Sequence, residues 1–88
     1  WSDEALADLL DAYDFIAADN PSAAERVQDR LIQVASTLGD LPNRGREGRK
    51  GGTRELTVSG TPYLIVYTVG SEAVTILRLW HGAREPHA

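Results

Sequence analysis

The spacing of apolar residues switches partway along the chain, and this switch constrains the fold more than any other feature. Up to residue 38 the apolar side chains recur every three or four residues, as on one face of a helix. From residue 53 onward they alternate or run continuously, as in strands. Between the two regimes lies "GDLPNRGREGRKGG" (39–52), with five glycines, one proline and four bases. This composition predicts a loop with weak internal order. A chain of 88 residues has room for one modest core, so both halves must share it.

Within the first half, Leu6, Leu9, Leu10, Tyr13, Ile16 and Ala17 predict a helix over about 3–18. Ser2 is placed to cap it, and Asp3 and Glu4 suit the positive end of its dipole. A second helix is predicted over about 21–38, with Asn20 as cap and Pro21 at the first position, where a missing N–H costs nothing. Its apolar face is Ala24, Val27, Leu31, Val34, Ala35 and Leu38. Gly39 is expected to end it with a positive φ. The short link implies an antiparallel α-hairpin.

In the second half, "TRELTV" alternates and predicts a strand over about 53–58. "YLIVYTV" (63–69) is β-branched, aromatic and nearly all apolar, and is expected in the centre of a sheet. Gly70-Ser71 predicts a tight turn, and "AVTILRLW" (73–80) a third strand. The fold class is therefore α+β: one domain over 1–88, with an N-terminal α-hairpin packed on one face of an antiparallel β-meander.

The net charge is −4, unevenly spread. Residues 1–40 carry nine acids and two bases, whereas residues 41–88 carry seven bases and four acids. Affinity for nucleic acid scales with the cations set against phosphates, so the overall balance argues against direct nucleic-acid binding by the chain alone. A local basic face remains available to a partner. Cysteine is absent, which excludes a disulfide scaffold, a Cys-based zinc site and a thiol nucleophile, and fits a cytoplasmic location. No apolar run approaches the roughly 20 residues of a membrane-spanning helix. The chain contains no methionine and opens on Trp1, so the natural protein is expected to start earlier.

Several residues carry chemistry. His81 ends the last strand and could move a proton near neutral pH, or could simply make a structural hydrogen bond. Arg78 alternates with Leu77 and Leu79, which places it on the side of Ile76 and Trp80, either solvated or paired with Glu55 across the meander. Arg78, Trp80, His81 and Arg84 together form a candidate recognition patch at the strand exit. Arg44, Arg46, Arg49 and Lys50 form a basic loop, with Arg54 just beyond. The loop is not a phosphate-cradling P-loop, because the glycine–lysine–serine/threonine order is missing. Glu55 is expected in a cross-strand ion pair, with a general base as its catalytic alternative. The aspartates of the first helix read as its solvated face and lack the spacing of a calcium site. Tyr63 and Tyr67 share one face of the central strand, as core or as groove wall. Neither a metal nor a cofactor is expected.

The series "W-S-x-E-A-x-x-D-L…Y-D-x-I-A-x-D-N-P-x-A-A-x-R-V" resembles the first half of RelE/ParE-superfamily toxins. The later "P-x-R-G-R-x-G…G-T-R-E-L-x-V…P-Y-x-I-V-Y…V-x-I-L-R-x-x-H-G-A-R-x-P" is similar to the ParE, or plasmid-stabilisation, branch. The resemblance runs from Trp1 to about Pro86. It implies a short strand before the first helix, largely missing here and represented by Trp1. It also implies the toxin of a type II toxin–antitoxin pair, with DNA gyrase as target, inhibited by binding. A cognate antitoxin, ParD-like or of another class, would neutralise it in a hetero-oligomer. Leu10, Tyr13, Tyr63 and Tyr67 are the candidates for the antitoxin groove.

Two other readings stay open. One is a RelE-like, ribosome-dependent mRNA endoribonuclease, whose candidate set here would be His81, Arg78, Arg54 and Glu55. Ribonuclease members tend to carry an arginine on the central strand and a tyrosine at the end of the last one. This chain has neither within 63–69 or at Gly82. The other is a degenerate member without activity.

Overall fold

A computed structural model of the chain describes residues 1–83. Helix α1 spans Asp3–Ala17 and helix α2 spans Pro21–Thr37. Four strands follow: β1 (Arg46–Glu47), β2 (Arg54–Thr57), β3 (Tyr63–Val69) and β4 (Val74–His81). They form one antiparallel sheet in the order β1-β2-β3-β4. The α-hairpin lies on one face of this sheet, so the α+β architecture read from the periodicity is the one observed. No described helix is long and apolar enough to cross a membrane.

Both helices start as their caps dictate. The Ser2 side chain accepts from the Ala5 N–H at 3.0 Å, and Asn20 Oδ1 accepts from the Ala23 N–H at 3.1 Å. Pro21 occupies the first turn of α2. The core joins Ala5, Leu9 and Ala12 of α1 and Leu31, Val34 and Ala35 of α2 to Ile65 and Tyr67 of β3 and Ile76 and Leu79 of β4. Leu31 and Ile65 are fully buried, and truncating either to alanine would cost about 2–5 kcal/mol.

Four expectations are corrected. First, the stretch 39–52 is not without internal order. Two of its residues form β1, and Thr53 N–H donates to Lys50 O at 3.1 Å across a turn that places Gly52 at φ 82°. Glycine suits that position because its neighbour geometry needs a left-handed residue. Second, Gly39 does not terminate α2 with a positive φ. Leu38 closes the helix by donating to Ala35 O at 3.1 Å while staying right-handed. Third, the apolar stripe of α1 is only partly buried. Leu9 faces the sheet beside Ala5 and Ala12, but Leu6 and Leu10 are 45 % and 61 % exposed. The face turned to the core is Ala5, Leu9, Ala12 and Ile16, at i, i+4, i+7 and i+11, and Leu6 and Leu10 lie beside it. Fourth, the tight β3–β4 turn is centred on Ser71 and Glu72, one residue later than expected. Gly70 N–H donates to Ala73 O at 2.8 Å, and the strands first pair at Val69–Val74.

The register of β4 carries the largest consequence. Val66 faces Arg78 but Tyr67 faces Ile76, so Leu77 is an extra residue in β4. This bulge reverses the inward–outward phase at that point. Ile76 and Leu79 therefore both point at the helices, although simple alternation would set them on opposite faces.

Candidate functional site

Cross-strand partners share a face, so the register sorts the charged residues into two sets. Glu55 pairs with Val66, which pairs with Arg78, and Leu64 pairs with Trp80. Leu64 and Val66 are buried outside the cluster beneath the helices, so these residues occupy the open face. Tyr67 lies in that cluster and pairs with Arg54, and Tyr63, also in it, pairs with His81. His81 and Arg54 are therefore on the helix side. The expected grouping of Arg78 and His81 on one surface is not what the sheet delivers, because strand positions an odd number apart beyond the bulge point to opposite faces. Arg84 lies outside the described residues.

On the open face, Lys50, Glu55, Arg78 and Trp80 line a depression of about 340 Å³, floored by Val66 and Leu77 and reached by Glu4. His81 does not line it. Arg78 pairs with Asp8 of α1, a partner outside both expected alternatives, solvation and pairing with Glu55. Its Nε donates to Asp8 Oδ2 at 2.7 Å and its Nη2 to Asp8 Oδ1 at 3.1 Å, a bidentate clamp from α1. Asp8 Oδ2 also accepts from the Leu79 N–H at 3.0 Å. Asp8 is thus not part of a solvated helix face. It fastens α1 to the outer edge of β4, beside Ser2, whose N–H donates to Ile76 O at 2.8 Å and whose hydroxyl donates to Leu77 O at 2.9 Å.

Glu55 does form ion pairs, with the basic loop. It is 4 % exposed. Its Oε1 lies 3.4 Å from Arg46 Nη2 and 3.7 Å from Arg49 Nε, and its Oε2 accepts from the Arg49 N–H at 2.9 Å. Two further bases of this region are tied elsewhere. Arg54 Nη1 donates to Gly45 O at 2.7 Å, and Arg44 Nη1 donates to Thr37 Oγ1 at 3.1 Å. His81 Nδ1 accepts from the Ala83 N–H at 3.1 Å, and its ring meets Tyr63 edge-on with centroids 5.3 Å apart.

Tyr63 and Tyr67 are buried at 3 % and 0 % exposure and supply no open groove wall. The Tyr67 hydroxyl instead reaches from the core to the loop, donating to Pro42 O and accepting from the Gly45 N–H, each at 2.8 Å. Leu10 and the half-buried Tyr13 remain on the outer surface of α1, next to the exposed Leu6. A second hollow of about 340 Å³, mainly apolar, is lined by Trp1, Ile32, Ala35, Val74 and Ile76 among others.

The residues that sequence reasoning missed are Asp8 and the hydroxyl of Tyr67. Asp8 is 70 positions from Arg78, and nothing local to either marks the pairing. Tyr67 carries a signal only in hindsight of its burial: a fully buried tyrosine needs a partner for its hydroxyl.

The chain matches, over residues 1–86, the family described as ParE toxin of type II toxin–antitoxin system, parDE. It is 42 % identical over 84 residues to Toxin RelE2 of Caulobacter vibrioides, an alignment covering 96 % of this chain and 93 % of that protein. Among solved structures it superposes on a chain of the chromosomal ParDE TA system from P. aeruginosa with a TM-score of 0.80 and 26 % identity, covering 90 % of this chain and 88 % of the other.

Proposed function

Because this chain belongs to the ParE toxin family of type II toxin–antitoxin systems, we propose that it acts by binding DNA gyrase, without breaking a covalent bond itself, and that a cognate antitoxin neutralises it. The division of the charged residues between the two sheet faces carries this reading. Phosphodiester cleavage by side chains needs a proton acceptor, a proton donor and a cation around one phosphate. Here His81 and Arg54 sit on the helix side, while Arg78 and Glu55 sit on the open side. Glu55 is held by Arg46, Arg49 and the Arg49 N–H, which gives it a structural role in shaping the loop rather than that of a mobile base. Arg78 with Trp80 at the rim of the open-face depression is the surface offered to the target.

The antitoxin is assigned to the other side. Exposed Leu6 and Leu10 and half-buried Tyr13 form a stripe at helical spacing along α1, which suits the apolar face of an amphipathic helix.

A paired assay tests the reading. The purified protein is added to a gyrase supercoiling reaction and, separately, to translating ribosomes with a reporter mRNA. Loss of supercoiling with intact mRNA is expected. mRNA scission that disappears in His81→Ala would replace this reading with the RelE-like one. Normal growth after induced expression, with neither effect in the tubes, would mark an inactive member.

A further inference from the structure

We propose that Arg46, Arg49 and Lys50 form a preorganised docking surface for a short acidic peptide segment of a protein partner, shaped by Glu55 as its positioning residue. The inference rests on the reading that the chain works by binding another macromolecule, and it adds the chemistry and the place of one contact.

The three cations are exposed, yet the backbone that carries them is fixed. Arg46 lies in β1 and is paired with Glu55 in the sheet register. Gly48 N–H donates to Thr53 O at 2.8 Å, and the Arg49 N–H is held by the Glu55 carboxylate. Tyr67 and Arg54 pin the loop upstream at Pro42 and Gly45. A loop ordered in advance loses little entropy when a partner arrives. The Arg46 side chain is 64 % exposed and that of Arg49 is 36 % exposed, whereas the Glu55 carboxylate beneath them is 3 % exposed. The surface presented outward is therefore cationic, and its counter-charge lies underneath.

The geometry favours carboxylates. Glu55 already sits against two guanidinium groups and a backbone N–H, the arrangement that charge-assisted recognition of a carboxylate uses. An extended polyanion fits less well. Duplex affinity grows with the number of phosphates neutralised, and three cations, two shared with Glu55, supply few. The surplus of acids in residues 1–40 also repels a long rod of negative charge, while a short segment need cover only the loop.

The probe is a fluorescein-labelled peptide of alternating glutamate and glycine, titrated with the full chain by anisotropy at low and at physiological salt. A labelled DNA duplex serves as the second arm. The peptide should bind, and more tightly than the duplex. Arg46→Gln with Arg49→Gln should weaken peptide binding roughly tenfold or more, whereas the charge-matched Arg26→Gln on α2 should change it less than about twofold. Glu55→Ala discriminates most sharply. It removes both the negative charge beneath the cations and the acceptor of the Arg49 N–H, so electrostatics alone would tighten binding, whereas loss of loop shape weakens it, by roughly threefold.

Circular dichroism checks that each variant is folded. If the double arginine variant is not, Arg46→Gln alone carries the test. Unchanged peptide binding on loss of the arginines, tighter binding by Glu55→Ala, or preference for the duplex each overturns the proposal. The gyrase reading fails separately. If mRNA is cleaved but peptide binding still needs the two arginines, the docking surface stands and the target assignment falls.

Discussion

Replacing Asp8 by alanine removes three hydrogen bonds at once, and their geometry gives the cost. The two bonds from Arg78 belong to an ion pair whose arginine side chain is 42 % exposed, so solvent screens it and it contributes roughly 0.2–1 kcal/mol. The third bond matters more. Leu79 is 2 % exposed, and without the carboxylate its N–H is left buried without that acceptor, at a cost of about 1–3 kcal/mol. The expected loss is about 2 kcal/mol, which lowers the melting temperature of a domain this size by roughly 8–16 °C. Asp8→Asn separates the two contributions. The amide oxygen still accepts from Leu79 while the charge is gone, so the loss should be about 0.5–1 kcal/mol. Urea unfolding followed by circular dichroism measures both. Near-equal losses for the alanine and asparagine variants, or a loss below about 0.5 kcal/mol for alanine, would refute the view that Asp8 acts mainly by satisfying the edge of β4. A double-mutant cycle with Arg78→Ala should return a coupling of about 0.5–1 kcal/mol.

Other perturbations probe the loop and the surface. Tyr67→Phe keeps the ring but leaves the Gly45 N–H and Pro42 O without their hydroxyl partner, so thermal unfolding should show a loss of about 1–3 kcal/mol. Gly48→Ala would set a methyl group against Thr53 Oγ1 and the Thr53 carbonyl, and should cost about 1–3 kcal/mol by overpacking, whereas Gly39→Ala meets nothing within 4 Å and should be neutral or stabilising by up to about 1 kcal/mol. Leu10→Glu on the exposed stripe of α1 should leave stability within about 0.5 kcal/mol of the parent yet weaken capture by the antitoxin, read by co-purification. Unimpaired capture would move the antitoxin off this helix.

The two helices and the three longer strands were legible in the sequence because they follow from local rules, whereas β1 was not. Ser2 and Asn20 cap helices wherever a following turn offers its N–H groups, and "YLIVYTV" reads as a central strand because its side chains suit burial on both faces. The loop was misread because its order comes from outside it. Glycine content predicts freedom, but the Glu55 carboxylate, from the strand just after the loop, and the Tyr67 hydroxyl, 22 positions from Gly45, remove that freedom.

Sequence by itself determined the two helices, the antiparallel meander, the acidic and basic halves and the family likeness, since each rests on residue type and spacing along the chain. Tertiary structure alone decided which side chains meet. A single extra residue at Leu77 sets the phase of β4, the sheet register separates His81 from Arg78, and Asp8 finds its partners across 70 positions. Periodicity can state that a strand has two faces, but only the pairing of strands says which residues share one, and that pairing is fixed by how the whole core packs.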